Sequence, residues 1–141
     1  MYTHEYQKRV RYGETDQMGY VYYGNYAQYY EIGRVEMLRS LGMTYKSFES
    51  EMGIMMPVVS LEARYLRPAK YDDLLTLRTS LRQLPEGLSI TFQTEILNEE
   101  GKVINAGTVR LCFVDIQSGK TVPPPEALIE RLRPHFLKDE E

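Results

Sequence analysis

The 141-residue chain has no tryptophan, one cysteine, two histidines and no long apolar run. Each shortage closes off a class of protein. A single thiol, Cys112, can form neither an internal disulfide nor a cysteine-rich zinc site. Its setting, LCFV, reads as a buried strand, so Cys112 is expected to be an inert core residue. His4 and His135 sit near opposite ends, offer no metal-binding pair, and are expected at the surface. No segment approaches the roughly 20 apolar residues of a membrane span. The N-terminal MYTHEYQKRVRYGETD has no apolar centre for a signal peptide, which points to the cytoplasm. A formal charge of −3 is not the footprint of a nucleic-acid binder. No Walker-type loop is present, and GYVYYG does not fit G-x-G-x-x-G. Neither repeat nor linker interrupts the chain, so residues 1–141 are expected to form one domain.

What the chain has in plenty is tyrosine, 12 in all, with seven between Tyr12 and Tyr30. Tyrosine pairs an apolar ring with a polar tip and suits half-wet pockets and subunit interfaces. Just there the hydrophobic pattern turns helical. Tyr26, Tyr30, Gly33, Met37 and Leu41 recur at steps of three and four, which predicts a helix over 23–41 with these residues on one stripe. Asn25 is the expected N-cap with Gln28 as capping-box partner, and Gly42 the stop. Gly33 on the apolar stripe predicts close approach to a sheet. Glu31 and Arg34, three apart, suggest an ion pair on the helix surface or between subunits.

A short strand over 5–11 and a loop over 13–19 are expected before the helix. After it, Thr44 opens a short helix to Met52, and Met52, Met55 and Met56 read as core filling. Four strand patterns follow. Val59, Leu61, Ala63 and Tyr65 alternate with polar residues, and Pro57 puts that strand's start at an edge or bulge. The second carries Leu75, Leu77 and Leu81, the third Leu88, Ile90, Phe92 and Ile96, the fourth Val103, Val109, Leu111 and Phe113. Period-two alternation across short turns predicts an antiparallel meander with one buried face. Residues 126–133 form a last short helix, stopped by Pro134. One long helix and an antiparallel sheet make an α+β layout, with the sheet's far side or its edge left for another subunit.

Asp16 stands in the loop ahead of the long helix. T-D-x-x-G is ordinary turn chemistry, but a carboxylate there can also lie beside the free N–H groups that open a helix. The segment VRYGETDQMGYVYYGNYAQYYEIGRVEMLR resembles the hotdog-fold thioesterases of the 4-hydroxybenzoyl-CoA thioesterase type, and most of all the bacterial acyl-CoA thioesterase branch associated with the Tol–Pal system. Asp16, Gly19, Val21, Tyr22, Asn25 and Tyr26 carry the motif, with Glu31 and Arg34 on the helix. YLRPAKYDDLL and the closing VPPP extend the resemblance over nearly the whole chain. Many relatives in that branch have histidine where Tyr23 stands here.

The resemblance implies a hotdog fold, a sheet of about five strands wrapped around one long helix. It implies hydrolysis of an acyl-CoA with Asp16 as general base or nucleophile and the Tyr23 backbone N–H polarising the carbonyl. Gly19, Val21, Tyr22, Asn25 and Tyr26 would line the substrate. No cofactor is implied, since coenzyme A is part of the substrate. Arg64, Arg67 and Lys70 are the candidates for its phosphates, with Arg110 and Lys120 further on. Two copies would pair through their sheets with active sites at the interface, as a dimer or a tetramer of two dimers. A thioesterase acting on acyl-carrier protein and a non-catalytic acyl-thioester binder remain as alternatives.

Overall fold

The computed structural model describes residues 1–137. Strand β1 (Tyr2–Arg9) leads through two turns of 3-10 helix, at Tyr12–Glu14 and Tyr23–Asn25, into helix α1 (Tyr26–Ser40). Helix α2 (Tyr45–Met52) and strands β2 (Ile54–Met55), β3 (Val58–Tyr65), β4 (Leu74–Leu81), β5 (Ser89–Leu97), β6 (Val103–Asp115) and β7 (Thr121–Val122) follow. Helix α3 (Glu126–Leu132) closes the fold, running into a 3-10 turn that contains Pro134. Among the described residues no helix is long and apolar enough to cross a membrane.

The expected stripe on α1 is the buried one. Tyr26, Tyr30, Gly33, Met37 and Leu41 all lie inside, joined by Tyr29 and Leu38. They pack on inward residues of β4 (Leu75, Leu77, Leu81), β5 (Ile90, Phe92, Ile96) and β6 (Val109, Leu111, Phe113). Each such side chain contributes about 1.5–3 kcal/mol by leaving water. Gly33 has no room for a methyl group, because a Cβ there would strike Thr79 Oγ1 on β4. Gly107 on β6 is tighter still, since a Cβ there would strike the hydroxyl end of the Tyr30 ring. Tyr30 then donates its hydroxyl to the side-chain oxygen of buried Asn105. At the far end Gly42 takes a left-handed φ of +81° and ends the helix. Thr44 caps α2, accepting from the Ser47 N–H at 3.0 Å.

All pairings are antiparallel. The meander holds for β4, β5 and β6, but β3 does not neighbour β4. It crosses to the far side and pairs β6, while β1 pairs β4, so β1 and β3 are the two edges of the five long strands. Pro57 stands just ahead of edge strand β3, which carries a register shift between Val58 and Ser60. This is the hotdog fold, an antiparallel sheet curved around one long helix.

Several local expectations are corrected. Asn25 does not cap the helix with its side chain; its backbone is already helical and its Nδ2 reaches back to the Glu14 carbonyl at 2.8 Å. No Glu31–Arg34 pair forms among the described residues. Arg34 is buried and donates to Tyr45 Oη at 2.8 Å, tying α1 to α2. Cys112 falls on the outer parity of β6 and is half-exposed. Of the two histidines only His135 is exposed. His4 is partly covered, because residues 2, 4 and 8 of β1 face the helix side. Leu88 lies just outside β5 and is exposed.

Candidate active site

The loop between β1 and α1 is a tight hairpin. Thr15 and Val21 form a bridge, and the Asp16 N–H reaches the Tyr20 carbonyl at 2.8 Å. Gly19, at a φ of +82°, closes the turn with its N–H on the Asp16 carbonyl at 3.0 Å. Asp16 Oδ1 accepts from the N–H groups of Met18 at 2.9 Å and Tyr20 at 3.3 Å. Both readings of this residue therefore coexist: one carboxylate oxygen builds the turn and fixes the rotamer. The other, Oδ2, has no hydrogen-bond partner among the described residues.

The hairpin docks on the segment after β3. The Val21 N–H binds the Ala69 carbonyl at 2.8 Å, and Tyr20 bridges Lys70. At its exit the chain turns into the helix through residues 23–25. The Tyr22 N–H is spent on the Glu14 carbonyl at 2.9 Å and the Asn25 N–H on the Tyr22 carbonyl at 2.9 Å. The N–H of Tyr23, at the first position of this opening turn, has no acceptor among the described residues. Such first-turn donors carry the positive end of the helix dipole.

Asp16 and Tyr23 line one cavity of about 280 Å³, together with Met18, Tyr20, Val21, Tyr26, Tyr65, Leu66, Arg67 and Pro68. Its walls are aromatic and apolar; the Tyr26 and Tyr65 rings meet edge to face at 5.6 Å, and Tyr23 meets Tyr65 at 6.4 Å. Burial pushes the Tyr26 hydroxyl above the usual phenol range, only partly offset by a bond from the Ala69 backbone. Tyr30, one turn deeper, is raised further by burial and by the Tyr65 and Tyr26 hydroxyls. These phenols stay neutral at any ordinary pH and can donate hydrogen bonds.

Of the residues singled out in the sequence, the structure brings Asp16, Tyr23, Val21, Tyr26 and Arg67 to this cavity. Gly19 shapes the turn without lining it. Tyr22 is exposed and meets the Tyr23 ring at a tilt, centroids 4.7 Å apart, outside the lining. Asn25 holds the Glu14 carbonyl instead of facing the cavity. Lys70 is beyond the rim, beside Tyr20. Arg64 is not brought to the site: one residue before Tyr65 on β3, it points to the opposite face and lines a different hollow. Sequence reasoning missed Met18, Tyr20, Tyr65, Leu66 and Pro68 as walls; for Tyr65 the available signal was its strand parity, opposite to that of Arg64 on β3. Glu14 carried no signal, because a lone acid in a short loop looks solvated.

The chain is similar to known thioesterases over most of its length. Residues 10–132 match the model of the thioesterase-like superfamily. The acyl-CoA thioester hydrolase YbgC of Escherichia coli O157:H7 is 30% identical over 125 residues, 89% of this chain and 92% of that protein. The acyl-CoA thioesterase YbgC of Haemophilus influenzae is 31% identical over 84% of this chain and 85% of its own. Among solved structures, the DHNA-CoA thioesterase of Staphylococcus aureus superposes with a TM-score of 0.90 at 25% identity, covering 100% of this chain and 97% of that one. With the hotdog fold, the motif and these relatives in one frame, the chain belongs to the thioesterase-like superfamily and is a thioester hydrolase.

Proposed function

We propose that this chain, acting as a single cytoplasmic domain, hydrolyses an acyl-CoA to the free acid and coenzyme A, with Asp16 as the catalytic carboxylate. One observation carries the reading. Asp16, which keeps one carboxylate oxygen without a partner among the described residues, and Tyr23, which keeps its N–H without one, line the same apolar cavity. A thioester whose carbonyl oxygen accepts from Tyr23 presents its carbon between the two. Asp16 Oδ2 takes a proton from water, and the hydroxide adds to that carbon. The oxyanion so formed gathers on the Tyr23 N–H, strengthened by the helix dipole. Collapse expels the thiolate, which recovers the proton from Asp16. The same oxygen can instead attack the carbon directly, with water then cleaving the mixed anhydride; both routes need the same placement.

The catalytic unit is a pair of copies. Seven of the eight residues of β3 are exposed, no strand among the described residues pairs its outer edge, and Val58, Val59, Leu61 and Tyr65 are exposed on it. An open apolar edge of this length calls for another strand. Tyr65 and Leu66 continue that edge into the cavity wall, so a partner strand here would also close the site. The working assembly is this dimer or two such dimers together.

A thiol-release assay over short, long and aromatic acyl-CoAs, each paired with the same acyl group on carrier protein, tests the function. Turnover of at least one acyl-CoA well above its carrier-protein counterpart is the expected result. Preference for the carrier protein would reassign the substrate, and binding without thiol release from either would make the chain a binding module.

A further inference from the structure

Glu14 takes no part in the reaction drawn above, yet it accepts five hydrogen bonds. Its Oε1 receives the Arg11 N–H at 2.7 Å, the Tyr29 hydroxyl at 3.0 Å and Lys8 Nζ at 3.1 Å. Its carbonyl receives the Tyr22 N–H at 2.9 Å and Asn25 Nδ2 at 2.8 Å. The five donors come from β1, the approach to the hairpin, the turn that opens the helix, and α1 itself. Tyr29 is fully buried in the core, so the carboxylate is tied to the packed interior. Lys8 Nζ also lies over the Tyr29 ring, 5.6 Å from its centre.

This arrangement is costly unless it is complete. A half-buried carboxylate gives up water and needs charged, well-directed donors in exchange. Burial pulls the Glu14 carboxyl upward, but the Arg11 N–H, Lys8 and Tyr29 outweigh it and hold the group below its usual range. Such an investment sits two residues before Asp16 and, through the carbonyl, one peptide before the Tyr23 N–H.

We propose that Glu14 is a positioning residue: its carboxylate, clamped between Lys8, Arg11 and Tyr29, fixes the separation of Asp16 Oδ2 from the Tyr23 N–H and thereby sets the turnover rate. The proposal rests on the assignment of Asp16 above. A displacement near 1 Å of reacting groups costs up to about 100-fold in rate. Glu14→Ala removes the side-chain clamp and keeps the carbonyl. Its kcat per folded site, measured well below the melting midpoint, should fall about 10- to 100-fold with KM changed less than about threefold. Glu14→Gln retains an acceptor for Arg11 and Tyr29 and should recover kcat to within about fivefold of the parent. Tyr29→Phe removes one donor without changing shape and should lower kcat about three- to fivefold.

A purely structural role would lower the melting midpoint and leave kcat per folded site alone. That result in Glu14→Ala overturns the proposal, as does a rise confined to KM. Should Glu14→Ala fail to fold, parental kcat in Tyr29→Phe overturns it instead. Asp16→Asn is assayed in parallel. If Asp16→Asn turns over normally, the Asp16 assignment falls; if it is inactive while Glu14→Ala keeps full kcat, only the positioning role falls.

Discussion

Two of the hollows among the described residues contrast in kind, one on the outer face of the sheet and one at the opening of the long helix. The larger, about 650 Å³, lies on the outer face and holds Arg64, Arg78, Arg82, Glu62 and Glu95 among three threonines and Ser80. The smaller, about 280 Å³, lies at the opening of the long helix and holds Asp16 and Arg67 among aromatic rings. Size and charge count favour the first, yet chemistry favours the second. Across the outer face charges answer one another: Arg78 meets Glu5 at 3.1 Å and Glu95 at 3.8 Å, in register over three strands. Water screens these pairs and each is worth little. The smaller hollow is lined by Asp16 and Tyr23, which keep an acceptor and a donor without a partner among the described residues, beside apolar walls where such groups are worth more. A reactive site is marked by groups the fold does not consume.

That contrast can be broken by substitution on either side. The largest effect after loss of the carboxylate itself should come from Tyr23→Pro. Proline is tolerated at the first position of a helical turn, and Tyr22 before it is already extended, at φ −62° and ψ 132°. The change deletes the N–H and should lower kcat about 100-fold or more, whereas Tyr23→Ala, which keeps the N–H, should lose much less. Equal losses in the two variants would assign the effect to the ring. A smaller effect is expected at the rim. The Arg67 guanidinium, with no carboxylate partner among the described residues, is the cation nearest the cavity. Arg67→Ala should raise KM for acyl-CoA about three- to fivefold with kcat little changed. Arg78→Ala, in the larger hollow, should move kcat/KM less than about twofold. A larger loss from Arg78 than from Arg67 would reverse the ranking of the two hollows.

The sequence made some of this legible and hid the rest for physical reasons. The α1 stripe could be read because burial follows the helical period, and Gly33 and Gly42 kept their meanings because each answers a local steric demand. The place of Asp16 in the turn ahead of the helix could be read from its motif, since turn, glycine and helix start are close in sequence. The place of β3 could not. Alternation says that a strand has two faces but not which strand lies beside it, so the crossing to β6 stayed hidden. Arg34 and Asn25 were misread for a related reason: both side chains bond to groups 11 residues away, Tyr45 and the Glu14 carbonyl, instead of to their helix neighbours. Glu14 was invisible because its donors arrive from several elements at once. The outward turn of Arg64 follows from strand parity alone and was available to the reading, but proximity to Arg67 in sequence obscured it.

The most direct measurement is single-turnover hydrolysis of a preferred acyl-CoA by Asp16→Asn. Asparagine retains the oxygen that accepts from Met18 and Tyr20, so the hairpin and the melting midpoint should survive. The unspent oxygen is replaced by an amide nitrogen, and the rate of acid formation should drop by about 100- to 10,000-fold while acyl-CoA still binds. A folded Asp16→Asn enzyme that releases coenzyme A at the parental rate would contradict the assignment.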